Sequence, residues 1–131
     1  MSSIYRNIVM SGASPVLVEP IGDIDMTGFN ALSIQVTITG LVPGTGASAA
    51  PYSNLKVHMW EGVEYSNPVL SGTWTITAGL GSFIDVAYLG GPTISYSQGR
   101  HVRLSFESVG GGGATTPPSM LFDVFAVPVN V

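Results

Sequence analysis

Apolar and polar residues alternate with a period of two along most of this chain. The clearest run is Arg100 to Ser108, where Val102, Leu104 and Phe106 alternate with His101, Arg103, Ser105 and Glu107. Successive side chains of a strand point to opposite sides, so the run predicts a strand with one apolar face and one face of charge and hydroxyl. The glycine run Gly110 to Gly113 follows and predicts the end of regular structure, because each glycine costs entropy to fix and has no side chain to pack. Ala31 to Thr39 repeats the plan, with Leu32, Ile34, Val36 and Ile38 inward and Ser33, Gln35, Thr37 and Thr39 outward. Its β-branched content suits a half-buried pleated surface.

Shorter runs fill the rest. Ile4 to Val9 alternates as a first strand or an extended arm. Pro15 and Pro20 bracket Val16 to Val18, a brief apolar strand that they confine to an edge or a crossing. Gly22 to Gly28 reads as a polar turn. Gly40 to Ser53 reads as a long loop, either functional or mobile. Leu55 to Glu61 and Phe83 to Leu89 read as strands, Val69-Leu70 leads through Gly72 into Trp74 to Thr77, and Gly90 to Pro92 turn the chain into Thr93 to Tyr96. Met120 to Val129 reads as the closing strand, with either Phe122, Val124 and Ala126 or Leu121, Phe125 and Val127 inward. Asp123 favours the first set. No segment sustains a helical period. Short strands with Gly or Pro at nearly every joint predict one all-β domain over residues 1–131, an antiparallel β-sandwich of about eight strands. A jelly roll is the first topology and an immunoglobulin-like Greek key the alternative. The predicted core includes Ile34, Val36, Val57, Val102, Leu104 and Phe106.

Composition changes the picture in one respect. Of 131 residues, 45% are hydrophobic and only 9% are charged, against about 25% charged in a typical soluble domain. A folded surface with so little charge resists association weakly, so much of it is expected to be covered by copies of itself or by a partner. No run approaches the roughly 20 apolar residues of a membrane helix. The positive residues Arg6, Lys56, Arg100 and Arg103 are scattered, whereas nucleic-acid binding wants a basic stripe. There is no cysteine, hence no disulfide framework and no thiolate metal site. The opening MSSIYRNIVMSG lacks the apolar core of a secretory signal, and synthesis in a cytoplasm is the expectation.

Candidate chemistry is sparse. His58 and His101 both fall on polar sides of strands and could share a sheet face, but a zinc site wants three or four ligands. Glu19, Asp23 and Asp25 offer oxygen ligands without EF-hand spacing, and Asx-turns are the plainer reading. No facing acid pair, nucleophilic constellation or phosphate loop is recognisable, so neither catalysis nor a cofactor is expected. Among Trp60, Tyr65, Trp74, Tyr88 and Tyr96, Trp60 lies on the polar side of its strand and is the best platform for stacking a sugar ring. Aromatics equally anchor interfaces and sandwich cores. The expected interface residues are Ile4, Tyr5, Ile8, Trp60 and Tyr65.

The run Asp25 to Thr37, DMTGFNALSIQVT, and the run Gly99 to Gly112, GRHVRLSFESVGGG, resemble small β-sandwich structural proteins of tailed-phage virions. The likeness is to head decoration, or cement, proteins and to some fibre and baseplate modules. It covers about half the chain, and the loops Gly40 to Ser53 and Thr115 to Ser119 depart from it. The resemblance implies a non-enzymatic virion protein that oligomerises and seats on the major capsid protein or other virion subunits. A carbohydrate-binding module using Trp60 is the alternative from a different class. The arm at residues 1–13 is expected to dock, since leaving Ile4, Tyr5 and Ile8 in water costs about 25 cal/mol per Å² of apolar area. It can dock on its own sheet edge or, the favoured expectation for a virion subunit, add a strand to a neighbour.

Overall fold

The computed structural model describes residues 4–11, 17–46, 50–63, 69–88, 100–111 and 115–131. These form eight strands: β1 (Ile4–Ser11), β2 (Leu17–Asp25), β3 (Ala31–Val42), β4 (Tyr52–Val63), β5 (Val69–Thr77), β6 (Gly81–Tyr88), β7 (Arg100–Gly110) and β8 (Ser119–Val129). All pairings are antiparallel. One sheet has the order β1-β8-β3-β6 and the other β2-β7-β4-β5. Every connection except β4 to β5 therefore passes from one sheet to the other. That is the jelly-roll order; an immunoglobulin sandwich would keep more hairpins within a sheet.

The core lies between the sheets and follows the period of two. Ile34, Val36, Val57, Val102, Leu104 and Phe106 are all buried, as the alternation predicts, together with Leu32, Ile38, Leu55, Met59 and Ile76. On β8 the inward set is Phe122, Val124 and Ala126, the choice that Asp123 favoured. Phe106 of β7 and Phe122 of β8 meet across the sandwich, with ring centroids 5.3 Å apart and planes tilted by 59°, within the range that aromatic pairs prefer.

Residues 4–11 pair with β8 of the same chain, from Ile4 opposite Ala126 to Ser11 opposite Ser119. In this chain they take the own-edge docking and not the favoured addition of a strand to a neighbour. Gly22 to Asp25 continue β2 instead of forming a turn, because Ile24 reaches the core opposite Val102. Two register shifts in β2 absorb Pro20 and Gly22. The turn comes later. The Phe29 amide donates to the Met26 carbonyl at 2.9 Å, and Gly28 takes φ 85 at the third position, where a type II turn calls for glycine. The strand predicted at Thr93 to Tyr96 lies outside the described residues.

The glycine run serves packing as well as termination. Gly110 is the last residue of β7, and Gly111 is buried. With φ 75, a Cβ on Gly111 would sit 2.6 Å from Pro118 Cγ and 2.9 Å from Tyr52 Cδ1. Tyr52 is itself fully buried and opens β4 inside the expected Gly40 to Ser53 loop. Thr45 bridges to Thr116, stitching that loop to the segment before β8. At the other end of the sandwich Asn30 and Asn130 form a latch. The Asn30 amide donates to Asn130 Oδ1 (3.1 Å), Asn30 Nδ2 to the Val131 carbonyl (2.9 Å), the Val131 amide to Asn30 Oδ1 (3.0 Å) and Asn130 Nδ2 to the Gly28 carbonyl (3.1 Å).

Candidate functional site

The two outer faces of the sandwich are the candidate binding surfaces, and they differ in chemistry. On the β2-β7-β4-β5 sheet most of the described outward positions are polar and several join one another, with Leu70 of β5 an exposed apolar exception. His58 of β4 is flanked by both neighbours: its Nδ1 lies 2.8 Å from Thr73 Oγ1 on β5 and its Nε2 lies 2.9 Å from Glu107 Oε1 on β7. With Glu107 ionised, Nε2–H donates to the carboxylate, and Nδ1 is left to accept from the Thr73 hydroxyl. One row on, the Trp60 indole N–H donates to Ser105 Oγ at 2.8 Å. Trp60 is half-buried, and Ser105 is only 2% exposed. Both bonds run diagonally across the ladder, since His58 directly faces Ser105 and Trp60 faces Arg103.

On the β1-β8-β3-β6 sheet the outward positions include large apolar side chains left open. Gln35 of β3 sits between Phe125 of β8 and Ile84 of β6; the next row places Ser33 between Val127 and Val86. Phe125 is 43% exposed, Ile84 67% and Val86 37%. Val9 on β1 is exposed as well. Hydroxyls pair at one end of this face, where Thr37 Oγ1 and Ser82 Oγ are 3.0 Å apart. A shallow depression lined by Gln35, Thr37, Asp123 and Phe125 lies at its middle.

The expected site residues divide between these surfaces and the interior. Trp60 is on an outer face, as its polar-side position implied. Ile8 belongs to the core cluster, which corrects its reading as an interface residue: pairing with Phe122 turns it inward. Ile4 and Tyr5 lie in β1 opposite Ala126 and Phe125. Tyr65 and Tyr96 fall outside the described residues. Trp74 packs against the core from β5. Phe125 and Ile84, the open residues of the apolar face, were not singled out by sequence. The two-residue period of β8 places Phe125 outward once Asp123 does so, and that signal was available.

The histidines share a face but not a site. His101 faces Gly62, four positions along β4 from His58, roughly 13 Å at about 3.3 Å per residue. Among the described residues no group of three or more His, Cys, Asp or Glu is placed to hold a metal ion. Asp25 makes the expected Asx-turn: its Oδ1 accepts from the Thr27 hydroxyl (2.7 Å) and amide (2.9 Å). These bonds hold its carboxyl below the ordinary aspartate value, with a smaller contribution from the His101 charge. Among the described residues no helix is long and apolar enough to cross a membrane. No protein-family model matches the chain, and no curated protein matches it in sequence.

Proposed function

We propose that this chain is a non-enzymatic structural subunit of a virion, of the capsid decoration or cement type, which associates with itself and seats on a larger protein lattice. Its action is mechanical: each copy bridges neighbouring lattice subunits and adds buried area across their joints. The observation that carries the reading is the apolar outer face of the β1-β8-β3-β6 sheet, where Phe125, Ile84 and Val86 stay in water on an otherwise weakly charged molecule. Apolar surface grouped in this way marks interaction sites. The jelly-roll order adds support, being an architecture of viral capsid and lectin domains. The sequence likeness to decoration proteins points the same way.

The test uses native particles from the source. Antibody raised against the purified chain is expected to label the particle surface in a regular array, and the Phe125→Glu chain is expected to fold and fail to rebind stripped particles. Purified particles that contain none of the chain would sink the proposal.

Trp60 favours a second reading, a carbohydrate-binding module. Its indole is held in place by Ser105 on a polar face, beside Leu70, which is exposed on the neighbouring strand. A fixed aromatic platform among polar groups suits a sugar ring. Glycan-array binding that disappears with Trp60→Ala would support this reading, and an array without signal would remove it.

A further inference from the structure

The four edges of the sandwich are not equally guarded. An edge strand presents unpaired backbone groups and invites another strand, and proteins blunt such edges with prolines, bulges and polar or inward charged residues. In the β2-β7-β4-β5 sheet, β2 carries Pro20 and two register shifts. Its opposite edge, β5, has a register shift against β4 and exposes Ser71, Thr73, Thr75 and Thr77. In the other sheet, β6 pairs with β3 from Tyr88 to Gly81 without a break, and Ile84 and Val86 stand exposed near its middle. β1 is also unbroken, but Val9, its exposed apolar residue among the described side chains, lies near one end. Among the described residues the regular edge with an apolar outer row is β6, which carries one inward charge, Asp85.

We infer that β6 is a self-association edge: it pairs antiparallel with β6 of a second copy of this chain across a two-fold axis, in a register that sets Ile84 opposite Ile84. The inference deepens the self-association in the proposed function and does not require the lattice. A second copy is the fitting occupant because the edge can complement itself, and only some registers work. A two-fold normal to the sheet keeps outer positions outward, so paired residues must belong to the same face and the axis must pass through a residue. Centring on Asp85 sets two carboxylates directly opposite, which is destabilising. Centring on Ile84 keeps as many residues paired, from Gly81 to Ala87, and sets Asp85 opposite Phe83 and Ser82 opposite Val86. Asp85, facing inward opposite Ile34, thus guards the edge against loose pairing and selects one register. On the outer face Ile84 meets Ile84, a β-branched cross-strand pair, and the row Phe125–Gln35–Ile84 continues into its symmetry mate.

The chain has no cysteine, so a single introduced thiol can pair only with one introduced in another molecule. Opposite Cα atoms in an antiparallel pair lie about 4.5–5.5 Å apart, within the span of a disulfide. The full-length Ile84→Cys chain is expected to oxidise to a covalent dimer. Ser82→Cys and Val86→Cys alone should form no disulfide-linked dimer on oxidation and should crosslink when mixed, because position 82 then faces 86. In sedimentation velocity the parent chain should dimerise. Ile84→Lys and Ile84→Glu should each sediment as folded monomers, and an equal mixture should dimerise again. The inference is overturned if the parent chain is monomeric, if Ser82→Cys crosslinks by itself as readily as Ile84→Cys, or if the Lys and Glu variants do not restore each other, as a β6 edge docked on β1 would give. Particle rebinding by a monomeric parent would leave the proposed function standing without this edge. Dimerisation without rebinding would do the reverse.

Discussion

The two outer faces share one core and one strand period, yet they finish themselves differently. On the β7-β4-β5 side the central outward groups have partners on the next strands: His58 with Glu107 and Thr73, Trp60 with Ser105. On the β8-β3-β6 side Phe125, Ile84 and Val86 leave apolar area exposed. A face whose polar groups already satisfy one another has little to gain from a partner. A face that leaves apolar area in water gains from being covered. On the proposed reading the difference separates residues that stabilise the monomer from residues that serve association, and mutations can test that separation.

The largest effect should come from what the faces share. Leu104→Ala, at a fully buried site, is expected to cost about 2–5 kcal/mol in denaturant unfolding; a cost near zero would mean that the sheets do not enclose this core. Next comes the seam where β4, β7 and the approach to β8 meet. Gly111→Ala must take a positive φ and push against Pro118 and Tyr52, for an expected loss of about 2 kcal/mol. An unchanged midpoint would contradict that close approach.

The faces themselves should then diverge. His58→Ala removes two cross-strand bonds from a half-buried, partly screened site, so about 1 kcal/mol of stability should be lost with association untouched. Ile84→Ser should change stability by less than about 0.5 kcal/mol while weakening association. The opposite assignment in paired unfolding and sedimentation experiments would break the comparison.

The smallest effect is electrostatic. The folded Asp25 carboxyl is held below its ordinary value by Thr27. Its contribution is therefore fully present above the ordinary aspartate range, about pH 4, and fades as pH falls through the lowered folded value. Asp25→Asn should lose less stability than the parent chain between neutral and strongly acidic pH. Equal losses would show that the Asx-turn charge does not matter.

Much of the fold was legible because burial in a strand is a local matter. The alternation in β3 and β7 names the core directly, and a single charge, Asp123, orients β8. What was not legible depends on which strands meet. His58 and Glu107 are 49 positions apart in sequence, and only the register of β4 against β7 brings them together. The same register separates His58 from His101. Tyr52 was lost in a loop because its burial depends on Gly110 and Gly111 lying against it, a long-range contact with no local signature. Pro20 and Gly22 read as breaks, whereas tertiary packing of Ile24 carried the strand through them. The apolar face could have been assembled from the period of β6 and β8, but knowing that both lie beside β3 required the topology.

The latch between Asn30 and Asn130 has a mechanical consequence. Ile4 sits opposite Ala126, so the start of β1 and the end of β8 lie at the same end of one ladder. A pull that separates Ile4 from Val131 would load that ladder one residue pair at a time, as a zipper is loaded, rather than all at once in shear. On its other side β8 is fastened to β3 from Ala31 opposite Val129 onward, and the latch ties Val131 to Asn30. The weak direction is therefore β1 alone. Under tension the molecule should shed its first strand while the remaining sheets stay closed, yielding in steps and exposing β8 as a new edge before the core is breached.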